Sequence, residues 1–286
     1  MRIFVTALIL ISAIAGLSAG KAQVSAKKPA VPANQPALTY ADMADLALAA
    51  QQVSAIRIRQ AVRLNGAQAA TVIPGRRRFL ATGEVLALIR SKEPIQPRIS
   101  FIVDVAAEPS GKFPKLNKGE WILFSNPVPG FPTEVRLVSP DALVAALPDQ
   151  LARVRGILKE AGAADAPPAI TGIASAFHSR GSIEGEGESQ IFLDAVGGKP
   201  VSLSVVRQAG SAPAWSVSLG DVVDQGSGPP ARDSFLWYRL ACFLPATLPP
   251  ISLAETSPED APLAAADYRY ILQQLGPCKR TLGVRP

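Results

Sequence analysis

Three short runs between residues 190 and 220 alternate apolar and polar residues, and turn-forming residues separate them. Alternation with a period of two is typical of β-strands that have one buried and one exposed face. The apolar positions are Ile191, Leu193, Ala195, Val201, Leu203, Val205, Trp215, Val217 and Leu219, and the polar ones are Asp194, Ser202, Ser204, Ser216 and Ser218. We therefore expect an antiparallel meander with one buried apolar face and one solvated, hydroxyl-rich face.

The N-terminal half of the chain carries five further strand-like segments. They are residues 53–64, 79–90, 98–105, 121–125 and 134–138. Thr39 and Asp42 have the spacing of a capping box ahead of a short first helix that ends near Gln51. The N-cap pattern at 139–141 predicts helical segments over 141–147 and 149–161, and Gly162 ends the second.

Five strands with a bend at Gly83, closed by a helix, are typical of a small barrel of the OB type. Over residues 41–162 the order also resembles the netrin-like barrel of tissue inhibitors of metalloproteinases. The resemblance rests on the long bent second strand, on Trp121 at the start of the fourth strand and on the helix that follows. The chain lacks the N-terminal cysteine through which that family engages a protease metal, so we expect no inhibitory activity.

The C-terminal half predicts a second domain. Small residues and prolines at 163–168 mark the boundary, a strand is predicted at 169–178 ahead of the meander, and helices are predicted at 234–243, capped by Asp233, and at 262–275. The expected fold class is α+β and mostly β. A five-stranded OB-like barrel with a terminal helix (39–162) precedes an α+β domain (169–286), in which two C-terminal helices cover the meander.

The N-terminus has the features of a secretory signal peptide. Arg2 precedes the apolar stretch 3–17, and small residues follow it, so we expect a signal peptide over 1–22 and a disordered linker over 23–38. The apolar stretch is shorter than the roughly 20 residues of a membrane-spanning helix. An uncleaved anchor helix is the alternative. The expected location is periplasmic or secreted, with no transmembrane segment in the mature chain.

Export changes the interpretation of the two cysteines and of the net charge. In an oxidising compartment Cys242 and Cys278 are expected to form one disulfide, which would restrict the unfolded chain by roughly 4 kcal/mol. A metal or reactive-thiol pair is the alternative, but neither a third cysteine nor a histidine lies near them in the sequence. The formal charge is +6, of which Arg2 and Lys21 would be lost with the leader. Nucleic acid is therefore not an expected partner.

A row of arginines on the first strand, Arg57, Arg59 and Arg63, could bind an anion or a nucleic acid. No aromatic residues for base stacking alternate with them, which favours a solvated face or a protected sheet edge. The three tryptophans each lie within an apolar run and are expected to be core residues.

His178 is the only histidine, and no G-x-S-x-G, H-E-x-x-H, Walker A or EF-hand motif is present. The residues Arg180, Glu184, Glu186 and Glu188 follow it closely. One interpretation is a periplasmic hydrolase or metal-dependent enzyme centred on His178 and the glutamates at 184–188. The other is a turn with solvated glutamates that binds a partner.

We favour the binding interpretation, with His178, Arg180, Glu184, Glu186 and Glu188 as candidate binding residues and with no catalytic residue, cofactor or metal. The expected partner is an envelope protein or a glycan, recognised by a non-enzymatic exported protein. Segments 115–130, 170–181, 185–193, 233–245 and 266–278 resemble exported proteins of Gram-negative bacteria. That resemblance covers 39–278 and implies export rather than a particular reaction.

Overall fold

The computed structural model describes residues 38–220 and 228–282. The expected signal peptide and nearly all of the expected linker lie outside the described residues. The first described element is α1 (Tyr40–Ala49). Its capping box is formed as the sequence predicts, because Thr39 Oγ1 accepts from the Asp42 amide at 3.1 Å and the Asp42 carboxylate accepts from the Thr39 amide at 3.0 Å.

Five strands close into a barrel. They are β1 (Gln52–Arg63), β2 (Arg76–Arg90), β3 (Arg98–Ala106), β4 (Glu120–Val128) and β5 (Phe131–Leu137). Their order is β1-β2-β3-β5-β4, and β4 pairs with β1 to complete the circle. Only the β3–β5 pairing in this barrel is parallel. Apolar side chains such as Ile56, Ile58 and Phe101 fill the interior, and Gly83 lies beside a register shift of the β1–β2 pair. The predicted OB-like barrel is therefore confirmed.

The predicted helix over 141–147 is wrong. The segment forms a short strand, β6 (Leu143–Ala145), which pairs with β4 and extends the sheet. The physical reason is burial on both sides, since Leu143 points into the barrel core and Val144 into the neighbouring core. Ser139 caps no helix, Asp141 forms an ion pair with Arg76, and α2 (Pro148–Ala161) starts later, with proline in its first turn.

The predicted meander is confirmed as a second antiparallel sheet. Its strands are β7 (Ile170–Arg180), β8 (Gly187–Ala195), β9 (Val201–Arg207) and β10 (Ala214–Ser218), in the order β10-β9-β8-β7. The apolar positions predicted for one face are buried up to Val217, except that Ala195 is only partly buried. Leu219 lies beyond β10 and is exposed.

The solvated serine face is wrong in part, because Ser202, Ser204 and Ser218 are buried. Ser202 lies opposite Phe192 and Ser204 opposite Gln190, and these larger side chains stand beside the small hydroxyls.

Two helices complete the second half, namely α3 (Phe235–Ala241) and α4 (Ala261–Leu275). The cap of α3 is Ser234 rather than the predicted Asp233, because the Ser234 hydroxyl accepts from the Trp237 amide at 3.1 Å. α4 lies against β7 and β8, and α3 packs on α4, α1 and α2. The predicted Cys242–Cys278 disulfide is formed and links the end of α3 to the segment after α4.

A single apolar cluster connects α1 and α2 with the second sheet, α3 and α4. The predicted boundary at 163–168 lies in the connection between α2 and β7. Among the helices in the described ranges, none has the length and apolar character needed to cross a bilayer.

Candidate functional site

His178 lies inside β7 and faces the core, in phase with Ala176. Its side chain is only 3% exposed. The residue directly opposite on β8 is Ser189, which is fully buried. His178 Nδ1 and Ser189 Oγ are 2.9 Å apart, so the histidine is paired with a hydroxyl beneath the sheet rather than placed on an open loop.

Asp267 of α4 completes the pairing from the same face of the sheet. It is fully buried and belongs to the core-facing side of the helix, three residues after Ala264 and four before Ile271. Ser189 Oγ donates to Asp267 Oδ2 at 2.6 Å, and the same oxygen lies 3.6 Å from His178 Nδ1. One carboxylate oxygen therefore accepts the hydrogen bond of Ser189 and lies near the ring of His178.

Arg207 occupies the last position of β9 and binds the other oxygen of Asp267. Its Nε donates to Asp267 Oδ1 at 2.6 Å, and its Nη2 contacts the same oxygen. The Arg207 side chain is 34% exposed. The result is a buried network, defined here as His178, Ser189, Asp267 and Arg207, with one charged end that reaches the surface. A buried carboxylate requires such compensation.

The order of groups in the buried network differs from that of a serine hydrolase. In a catalytic triad the histidine stands between the serine and the carboxylate and takes the proton of an accessible hydroxyl. Here Ser189 itself donates to Asp267, and its side chain is fully buried. A substrate carbonyl would have no approach to Ser189 Oγ, so the arrangement favours a structural role for this hydroxyl.

The glutamates of the predicted site do not join His178. Glu184 is exposed in the turn between β7 and β8, and Glu188 lies on the outer face of β8, where Gln190 Nε2 donates to its Oε1 at 3.0 Å. The Gly181 amide donates to the Glu186 carbonyl at 3.0 Å and closes the turn. Gly187 packs against the histidine, because a Cβ there would lie 2.8 Å from His178 Nε2.

Arg180, at the end of β7, is held by the start of α4. Its Nε donates to Asp260 Oδ1 at 2.7 Å, and its Nη2 donates to the Glu259 carbonyl at 3.1 Å. The hydrogen bond to Asp260 raises the pKa of Arg180. The hydrogen bonds from Ser257 and Arg180 hold the pKa of Asp260 below its usual value. Both groups are therefore charged at neutral pH.

An open groove of about 620 Å³ lies at this end of the second sheet. We call it the polar groove and define it by its lining side chains Arg180, Glu186, Glu188, Arg207, Gln208 and Ser211. Three of the five predicted binding residues, Arg180, Glu186 and Glu188, thus come together on one surface. His178 is buried beneath it, and Glu184 is not part of its lining.

Ser189, Arg207 and Asp267 are not among the residues predicted from the sequence. The alternation along the strands could have identified two of them. Ser189 and Arg207 each occupy the next core-facing position after, or before, the apolar ones of their strands. Asp267 offered a weaker signal as a carboxylate within the apolar stripe of the last helix.

Within residues 38–220 and 228–282, no group of three or more histidine, cysteine, aspartate or glutamate side chains is arranged to hold a metal ion. Comparison of the chain with models of protein families, with curated proteins and with solved structures gives no match.

Proposed function

We propose that the protein is exported to the periplasm or secreted, and that it acts without catalysis by recognising an envelope protein or a glycan through the polar groove. The candidate contact residues are Arg180, Glu186, Glu188 and Arg207. They combine guanidinium and carboxylate groups, which suit hydroxyl-rich or charged surfaces.

The buried network is the observation that carries this proposal. Asp267 fixes the Arg207 guanidinium from inside, and Asp260 fixes Arg180 from α4. Side chains held before binding lose less conformational entropy when a partner arrives. The same network keeps Ser189 and His178 away from solvent, which supports recognition over the alternative of a hydrolase centred on His178.

Export is supported by the N-terminal sequence and by the disulfide. Arg2 and the apolar stretch 3–17 have the composition of a signal peptide. The disulfide between Cys242 and Cys278 fits an oxidising compartment, where such bonds persist. Partners in that compartment are envelope proteins and glycans rather than nucleic acids.

The test is capture of a partner from the native envelope by the tagged protein, followed by its identification by mass spectrometry. The groove variant is Arg180→Ala with Glu186→Ala. The matched control is Arg136→Ala with Glu134→Ala, the same residue types exposed on β5 of the barrel. We expect the control to recover the wild-type partner and the groove variant to lose it. Equal recovery by the two variants would contradict the proposal.

A further inference from the structure

A second cavity, of about 340 Å³, lies at the mouth of the barrel, where β3 ends and β4 begins. Its floor is a continuation of the barrel core, formed by Val103, Leu116, Trp121 and Leu143. The segment after α4 closes one side through Leu282. Cavities of roughly 300–1,000 Å³ with apolar walls and few polar groups are typical of small-molecule sites, and barrel mouths are among their usual places.

The floor and the rim differ in exposure. Trp121 at the floor is 2% exposed, and its indole nitrogen is satisfied by the Leu116 carbonyl at 2.9 Å. The rim carries the charged side chains of the lining, and one of them, Asp141, is 34% exposed. An occupant would therefore meet apolar groups inside and charged groups at the entrance, which fits a molecule with an apolar body and a polar head.

The charges of the rim favour one sign of head group. Arg76 neutralises Asp141 at 2.6 Å, and Arg78, from outside the lining, neutralises Asp104 at 2.7 Å. Glu108 also lines the cavity and has no ion-pair partner among the described residues. The lining contains no lysine whose side chain the structure describes. Among the side chains that the structure describes, Glu108 is thus the carboxylate of this lining that no ion pair compensates.

We propose that the barrel mouth binds a small amphipathic cation, an organic amine whose apolar body lies against Trp121 and Leu143 and whose ammonium group meets Glu108. This site shares no residue with the polar groove and does not depend on the function proposed for that groove. An anionic amphiphile of the same size would bring a second unpaired negative charge next to Glu108.

Decylamine and decanoate test the proposal, because they carry the same apolar chain and opposite charges. Each is titrated into the purified, oxidised protein below its micelle concentration, and binding is measured by calorimetry. We expect one decylamine per chain and a decanoate affinity lower by about tenfold, the size of one charged hydrogen bond. Decanoate binding as tight as decylamine, or no binding of either probe, would overturn the proposal.

Two matched variant pairs place the ligand. Glu108→Gln should reduce the preference for decylamine by at least about threefold, whereas Glu134→Gln, at an exposed position on β5, should leave it unchanged. Val105→Trp adds bulk to the cavity lining and should abolish binding of decylamine, whereas Val62→Trp, on the exposed outer face of β1, should not. Unchanged decylamine binding by both Glu108→Gln and Val105→Trp would show that the probe binds elsewhere and would contradict the assignment.

Discussion

Ser189 and Asp267 share a hydrogen bond of 2.6 Å, and both side chains are fully buried. The bond connects the first part of β8, a central strand of the second sheet, to the middle of α4, between residues 78 positions apart in the sequence. Because Asp267 also accepts from Arg207, the packing of α4 on the sheet sets the position of a guanidinium group in the polar groove. If the polar groove recognises a partner as proposed, a substitution at Asp267 affects both stability and binding.

Asp267→Asn should destabilise the protein. The substitution removes the counter-charge of Arg207 and alters the acceptor of Ser189. We expect a loss of about 2 kcal/mol in the free energy of unfolding, less than the roughly 3–5 kcal/mol of a fully buried pair, because Arg207 reaches solvent. Urea denaturation measures the loss. Asp194→Asn, at an exposed position on β8, is the control and should change stability by less than about 0.5 kcal/mol.

Two fully buried serines should respond differently to alanine. Ser189 makes hydrogen bonds to His178 and Asp267. The hydroxyl of Ser125, inside the barrel on β4, has no hydrogen-bond partner within residues 38–220 and 228–282. Ser189→Ala should cost about 1–3 kcal/mol, and Ser125→Ala should be neutral or stabilising, since removing an unpaired polar group relieves a desolvation penalty. Chemical denaturation compares the two. A cost for Ser125→Ala as large as for Ser189→Ala would contradict this interpretation.

Gly187→Ala tests how tightly the histidine is packed. A Cβ at this position would lie 2.8 Å from His178 Nε2 and 2.8 Å from the Ser179 carbonyl, so the strand or the ring must shift. We expect a loss of about 1–3 kcal/mol from overpacking. Gly156→Ala in α2 meets no atom within 4 Å and should instead raise stability by about 0.5–1 kcal/mol. Thermal unfolding of both variants gives the comparison, and equal melting temperatures would speak against close packing around His178.

Acid should weaken the hydrogen bonds between Asp42 and the segment after α4, and so lower the free energy of unfolding. Burial alone would raise the pKa of Asp42, but hydrogen bonds from Leu282, Thr281 and Thr39 outweigh it and hold that pKa below its usual 3.8. A depressed pKa in the folded state contributes stability above pH 3.8, and this stability is lost as the pH falls through the lower folded value. Asp42→Asn should therefore reduce the free energy of unfolding at pH 7 and flatten its decline below pH 4. Asp194→Asn should keep the wild-type pH dependence in the same urea titrations.

Local patterns predicted most of the fold. The alternation along 190–220 placed β8, β9 and β10, and the Thr39–Asp42 spacing placed the start of α1, because both signals depend on neighbouring residues only. The segment 141–147 was misassigned for the opposite reason. Leu143 and Val144 point to opposite sides of β6, and both sides are buried, so the segment shows no alternation of apolar and polar residues. Only pairing with β4 decides that it forms a strand.

The candidate site was predicted in part. The turn between β7 and β8 was identified from its charged residues, and Arg180, Glu186 and Glu188 do line one groove. The buried network was not predicted, since Arg207 lies 60 residues before Asp267 and their contact depends on how α4 packs across the sheet. A single sequence gives no distance between such residues.

Binding of the captured partner to Arg207→Ala tests the central claim most directly, namely that recognition takes place at the polar groove. The dissociation constant of the purified partner is measured for the wild type, for Arg207→Ala and for the control Arg136→Ala, with folding of each protein checked by circular dichroism. We predict that Arg207→Ala weakens binding by about tenfold or more and that Arg136→Ala leaves it unchanged. Equal affinity of the folded Arg207→Ala variant and the wild type would contradict the account.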